Sequence, residues 1–457
     1  MEDIMASDTG LDLRKKVIYS VFVRNYSEEG TFEAVRQDLD RIRALGTDII
    51  WLMPIHPVGE LHRKGSLGSP YAIRDYRAVN PEFGTMEDFI HLTQDIHNKG
   101  MKCIIDVVYN HTSPDSVLSK THPDWFFHKQ DGSFGNRIGE WWDVIDLDYG
   151  TLQAPKTDLW DYQIETLKMW AAYVDGFRCD VAPMIPLEFW KKARQEVAAV
   201  RPGCIWLAES VEPEFVRQNR QSGIACASDS EIFSAFDISY EYDVYWYMNR
   251  CITGEGSLEQ YAAMVNMQEG IYPSNYVKLR FLENHDRLRA HFLIRDHRNL
   301  VNWTAFMYFQ KGTALIYAGQ EAECVHTPSL FDKDRVDWSG LHTAGAKTSQ
   351  PGDSMSGLMS RLAQIKKDHV PEDAAYELHA LPHDILMGIY TENKHSPFDK
   401  TGRRLAGIFS LRGESGSIRV DQLGVPDGVY HDLINGGSVE VNMGQTYTDG
   451  YPFIFEI

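Results

Sequence analysis

Cysteine is scarce in this chain, with six in 457 residues. A disulfide framework is therefore excluded as the main support of the fold. Cys103, Cys179 and Cys204 each lie in or beside an apolar run, so they read as buried thiols. Positive charge is short too. The chain has 45 Lys and Arg against 65 Asp and Glu, a net charge of −20. That balance argues against nucleic acid or an anionic membrane as partner and leaves a neutral substrate open. No apolar run approaches the roughly 18 residues that mark a membrane span. Residues 1–13 lack the apolar stretch of a secretory signal, so the expected location is the cytoplasm. Low-complexity linkers and internal repeats are missing as well.

What is present is an ordinary apolar fraction, 43%, in a chain long enough for a large core with one or two additions. Apolar runs and helical stripes alternate along its first three quarters. Strands are expected at 17–24, 48–53, 101–108, 173–181, 203–209, 234–239, 275–283 and 312–317. Helices are expected at 31–45, 85–99, 157–172, 186–200, 213–221, 296–310 and 357–367. Strand–helix alternation at this spacing means parallel strands with crossover helices, and eight such units fit a closed barrel with helices outside. The rhythm breaks at 112–155, which has no long helical stripe and reads as an irregular subdomain inserted after strand three. From 371 onward short alternating runs take over, with Asn435-Gly436-Gly437 as a hairpin turn, so 371–457 reads as an antiparallel β domain. The barrel is then built from 1–111 and 156–370.

The run Asp175-Gly176-Phe177-Arg178-Cys179-Asp180-Val181 delivers an Arg and an Asp at a strand's carboxyl end. Residues two apart on a strand share a face, so Arg178 and Asp180 emerge together, and a guanidinium favours an ionised carboxylate. Taken alone, such a pair is equally a structural ion pair. Other runs close on polar residues in the same way. Strand three leads to Asp106, Asn110 and His111, strand five to Glu209, and strand seven to Asn284, His285 and Asp286. In a parallel barrel all of these belong to one face, the face where such barrels carry their chemistry. Carboxylates, histidines and an arginine around one opening suit acid–base work on a neutral polyol or sugar.

Four stretches, Asp106-Val107-Val108-Tyr109-Asn110-His111, Gly176-Phe177-Arg178-Cys179-Asp180, Trp206-Leu207-Ala208-Glu209 and Phe281-Leu282-Glu283-Asn284-His285-Asp286, resemble the signature regions of the α-amylase family of glycoside hydrolases, in that family's order. Gly68-Ser69-Pro70-Tyr71 and Gly312 to Glu321 agree, and the resemblance spans 17–338. It implies an α/β fold: a (β/α)8 TIM barrel, an irregular subdomain after strand 3 and a C-terminal antiparallel β domain. It also implies a retaining enzyme that cleaves α-1,4-glucosidic bonds of starch-type polymers or malto-oligosaccharides and needs no cofactor for the chemistry. Asp180 would be the nucleophile, Glu209 the general acid and base, and Asp286 the third carboxylate. Tyr71, His111, Arg178 and His285 would bind substrate, and Asp106 would support the site. Retaining chemistry needs one ionised and one protonated carboxyl. Glu209 ends the apolar run 205–208 with no cation beside it in sequence, so desolvation is expected to keep it protonated.

Asn110 and Asp146 match the family's calcium-binding side chains, so a structural Ca2+ is open. The other reading is that Asn110 caps a loop and Asp146 takes backbone hydrogen bonds. The family's Lys-His pair after the nucleophile is replaced by Pro183 and Met184, which puts one calcium ligand and the leaving-group side in question. Trp125, Phe126, Phe127, Trp141 and Trp142 either line sugar subsites or form the small core of the insertion. The loop 332–335 either reaches an outer sugar or is solvated. His56, His62 and Arg63 lie near the same rim without an assigned role. Two further readings stay open. The same residues could serve glucosyl transfer, an α-1,6 bond or a disaccharide, and a barrel without activity could bind carbohydrate or a protein.

Overall fold

The computed structural model describes residues 6, 8–139, 141–343, 354–392 and 402–457. Eight parallel strands close into a barrel. They are β1 (Val17–Val21), β2 (Ile49–Leu52), β3 (Lys102–Val107), β4 (Gly176–Cys179), β5 (Ile205–Ala208), β6 (Ile238–Tyr240), β7 (Val277–Arg280) and β8 (Thr313–Tyr317). Around the barrel β1 pairs with both β2 and β8. Almost every strand residue is buried, as expected where helices cover the sheet outside and side chains fill it inside. The helix Met86–Asn98 shows how local sequence sets an element. Thr85 and Asp88 form a reciprocal capping box at its start, and Gly100, at φ +71°, lets the chain turn back after it.

Three elements depart from the expected pattern, and each departure has a cause. The first strand stops at Val21 because Val23–Tyr26 coils into a helical turn that sends Arg24 inward, where its guanidinium donates to Gly68 O at 2.9 Å. The helix expected at 31–45 splits into Phe32–Gln37 and Leu39–Ala44. Asp38 sits between them at φ −101°, ψ 6°, its carboxylate held by Tyr26 and by Arg41. The sixth strand starts late, at Ile238. A capped helical turn, Asp229–Ile232, precedes it, and Asp237 accepts the Trp206 N–H at 2.8 Å. The strand therefore ends on Tyr240, at the mouth of the barrel.

The segment after β3 is irregular. It is held by a two-residue ladder, His111–Thr112 against Ile145–Asp146, and one short helix, Val117–Thr121. The last part of the chain is antiparallel: Ala374–Leu381, Ile385–Glu392, Arg404–Ser410 and Phe453–Glu456 form one sheet. The pair Gly428–His431 and Ser438–Val441 flanks the expected turn at 435–437. This sheet packs on the barrel helix His297–Phe309. A Cβ at Gly388 or at its cross-strand partner Gly407 would lie 2.8 or 3.0 Å from the Phe309 ring, so the two glycines leave the notch that Phe309 fills. All six cysteines are buried free thiols. Among the described residues, no helix is long and apolar enough to cross a membrane.

Candidate active site

The carboxyl ends of β3, β4, β5 and β7 bring their polar residues to one place. Arg178, wholly buried, is the hub. Its Nη1 lies 2.9 Å from Asp106 Oδ1 and 2.8 Å from Asp180 Oδ1, and its Nη2 lies 2.9 Å from Glu209 Oε1. Glu209 has no cation next to it in sequence, yet in space it meets Arg178. Neighbouring strands place the guanidinium where sequence adjacency does not. Two neighbouring nitrogens of one guanidinium hold the Asp180 and Glu209 oxygens well under a nanometre apart.

Glu209 keeps its raised affinity for a proton all the same. Burial pushes its carboxyl up to about 8 against the pull of Arg178. Burial also raises Asp180, to about 6, with Arg178 opposing and Asp106 adding to the rise. The Glu209 carboxyl has a second fixed partner, the Val181 N–H, which donates to Oε2 at 2.8 Å. Val181 adopts a left-handed conformation, φ 41° and ψ 41°. For a β-branched residue this costs on the order of 1–3 kcal/mol, and here it aims the amide at the carboxyl.

Asp286 differs from the other two. Its side chain is 44% exposed and its Oδ2 lies 3.1 Å from His285 Nε2. Burial works to raise its carboxyl, but His285, joined by Arg178 and Arg287, outweighs that and holds it at about 2. His285 is raised in turn, because Asp286 overcomes the burial that disfavours its charge. Tyr71 stacks on His285, ring centroids 5.4 Å apart. Its hydroxyl donates to Asp106 Oδ2 at 3.1 Å and lies 2.7 Å from His285 Nε2. His111 Nε2 lies 3.9 Å from Asp180 Oδ2, and burial lowers this ring to about 4, so it is neutral near pH 7. Its Nδ1 lies 3.2 Å from Asn110 Nδ2. Every expected site residue but Asn110 and Asp146 therefore converges on a cavity of about 340 Å³, lined by Tyr71, His111, Asp180, Glu209, His285 and Asp286 among others, with Arg178 and Asp106 beneath.

Asn110 and Asp146 lie beside it, and calcium does not fit what surrounds them. Asp146 Oδ2 accepts the Arg137 N–H at 2.7 Å, with the Arg137 guanidinium 3.5 Å away and donating to Leu147 O at 3.2 Å. Asp146 Oδ1 is buried without a hydrogen-bond partner. Among the described residues no three His, Cys, Asp or Glu side chains are grouped to hold a metal. A guanidinium against the one buried carboxylate is the opposite of a shell of six to eight oxygens. Pro183 and Met184 line a separate cavity of about 630 Å³ with Asn110 and Arg137.

The aromatics of the insertion divide. Trp125 and Phe126 are buried, while Trp141 lines the carboxyl cavity, 5.4 Å from the His111 ring. His56 is buried away from the cavity, its Nδ1 2.9 Å from Ala78 O. Sequence reasoning missed Tyr240, whose hydroxyl accepts from Arg178 Nε at 3.3 Å, although a polar residue closing strand six was there to see. It also missed Trp51, under His285 and Arg178, and Lys64, Asp143 and Phe331. Nothing in their local sequence marks these.

Residues 18–372 match the family model for the α-amylase catalytic domain, and residues 377–455 match that for the bacterial α-amylase C-terminal domain. The chain belongs to the α-amylase family. A solved α-amylase from Lactobacillus plantarum is 43% identical and superposes with a TM-score of 0.88, covering 98% of this chain and 100% of that one. A noncanonic maltogenic α-amylase from Thermotoga neapolitana is 29% identical, with a TM-score of 0.80 over 98% and 99% of the two chains. An α-1,4-glucan:maltose-1-phosphate maltosyltransferase of Rhodospirillum rubrum is 35% identical over 45% of this chain and 32% of its own length. Alpha-amylase 2 of Dictyoglomus thermophilum is 23% identical over 70% and 57%. The chain thus spans about a third to somewhat over half of these curated relatives. The α-amylase family fold accounts for the barrel, the insertion and the terminal sheet together.

Proposed function

We propose that this protein is a retaining glycoside hydrolase acting on α-1,4-glucosidic bonds of starch-type polymers or malto-oligosaccharides. The observation that carries the reading is the single Arg178 guanidinium that binds Asp180 and Glu209 together while their proton affinities differ. Between about pH 6 and pH 8 one carboxyl is bare and the other carries a proton, as a retaining pair with carboxyls about 5–5.5 Å apart requires. Asp180 Oδ2, the oxygen not held at 2.8 Å by Arg178, attacks the anomeric carbon. Glu209 gives its proton to the glycosidic oxygen as that bond breaks, and the shortened glucan leaves. Glu209 then takes a proton from water, whose oxygen attacks the same carbon and frees Asp180. Two inversions return the α-anomer.

The remaining residues act on the charge that develops at the ring. Asp286, ionised beside His285, is suited to bind hydroxyls more tightly as the ring flattens, which helps because the effect grows in the transition state. Tyr71, His111 and His285 wall the reacting sugar, and Asp106 holds Arg178. Separate incubations with starch, maltotriose, panose, trehalose and sucrose test the reading, with products resolved by chromatography and anomers followed by NMR. Cleavage of starch or maltotriose with α-products supports it. Elongated products would mean glucosyl transfer by the same residues. Inverted anomers, or no turnover of any sugar, would overturn it.

A further inference from the structure

The carboxyl cavity is walled opposite Glu209. Glu209 follows β5, and the strand across the barrel from β5 is β1, flanked by β2 and β8. The loops that follow β2 and β8 are stitched together there. Leu67 N–H donates to Phe331 O at 2.9 Å, and the Ser66 N–H and hydroxyl donate to Asp332 Oδ1 at 2.8 and 2.7 Å. Beneath them buried Arg24 donates to Gly68 O at 2.9 Å and Leu330 O at 3.1 Å. Lys64 then crosses from this wall to the insertion, its Nζ 2.7 Å from Asp143 Oδ1, a side chain only 5% exposed. The ammonium lies 5.3 Å from the Trp142 ring centroid and 5.8 Å from that of Phe331. Lys64, Asp143, Leu330 and Phe331 line the same cavity as Asp180, Glu209 and Asp286.

A pyranose carries C1 and C4 at opposite ends of its ring. With C1 between Asp180 and Glu209 and the leaving chain on the Glu209 side, the C4 hydroxyl points toward the Lys64–Phe331 wall. We propose that the Lys64–Asp143 bridge closes the cleft on the non-reducing side, so that the enzyme works from chain ends and this pair determines that specificity. The inference rests on the glycosidase reading above. The cavity, about 340 Å³, is near the small end of the roughly 300–1,000 Å³ typical of ligand sites. With the stitched loops and the Lys64–Asp143 bridge standing beside it, it suits a short terminal piece of glucan. The wall rejects the longer chain by clash, not by weaker attraction.

Two p-nitrophenyl maltoheptaosides test this, one open and one with its terminal glucose blocked by a 4,6-O-ethylidene group. The wild-type enzyme is expected to cleave the open substrate and to act on the blocked one roughly 10²-fold more slowly, a discrimination that steric exclusion supplies. In Lys64→Ala and Asp143→Asn the ratio of blocked to open cleavage is expected to rise about tenfold or more, the open substrate serving as reference for general damage. Equal cleavage of both substrates by the wild-type protein would overturn the proposal. A wild-type preference that neither variant relaxes would overturn the assignment to this pair. Cleavage of neither substrate would remove the glycosidase reading itself, and this inference with it.

Discussion

Arg178 and Glu209 stand 2.9 Å apart although thirty-one positions separate them in the chain. The guanidinium also holds Asp106 and Asp180, so one cation serves three carboxyls, of which Asp180 and Glu209 differ in proton affinity. Replacing it by lysine keeps a charge but removes the planar fork. Arg178→Lys is therefore expected to lose most of its turnover on malto-oligosaccharides, with kcat falling far more than KM rises, in steady-state assays of product release.

Glu209→Gln keeps the shape of the side chain and its hydrogen bond from Val181 but has no proton to give. Turnover is expected to fall by about 10²–10⁴, the usual contribution of a positioned general acid. Near wild-type rates in that variant would refute the assignment.

The same carboxyl has a consequence for stability. Its folded-state affinity is raised, from 4.5 to about 8, so between these values the folded protein binds more protons than the unfolded chain. Stability contributed by this group is present at low pH and is lost as pH rises through about 8. Glu209→Gln is accordingly expected to melt higher than wild type, with a gap that widens from pH 5 to pH 8 in calorimetry. A gap that shrinks over that range would contradict the burial argument.

Activity itself is expected to follow a bell in kcat/KM. The acid limb lies near 6, where Asp180 loses its charge on protonation, and the basic limb near 8, where Glu209 loses its proton. Because the two carboxyls interact, these are values of the pair. In Glu209→Gln the basic limb is expected to disappear from whatever activity remains.

Arg137 supplies a positive charge at Asp146 from within the chain. Chelation with EDTA is thus expected to leave the melting temperature unchanged, whereas Arg137→Ala destabilises by about 1–3 kcal/mol, the cost of leaving a buried carboxylate short of a partner. A fall in melting temperature with EDTA, restored by calcium, would reverse this.

Much of this protein was legible along the chain because its signals are local. Apolar runs bounded by caps mark strands and helices, and strand polarity alone assigns Asp106, Arg178, Glu209 and His285 to one end of a barrel. Asp180 two residues past Arg178 is a local signal too. What was not legible depends on neighbours remote in sequence. The break at Asp38 goes with a hydrogen bond from Tyr26, twelve positions back, and the late start of β6 with Asp237 reaching the Trp206 amide.

The sequence by itself determined the alternation of elements and the types of chemical group at the barrel mouth, since both follow from periodicity and chain direction. Only the tertiary structure decided which cation each carboxyl meets, how far each is buried, and that Lys64 reaches Asp143. Proton affinity and cleft shape depend on distance and dielectric in three dimensions, and neither quantity is carried by any stretch of chain alone.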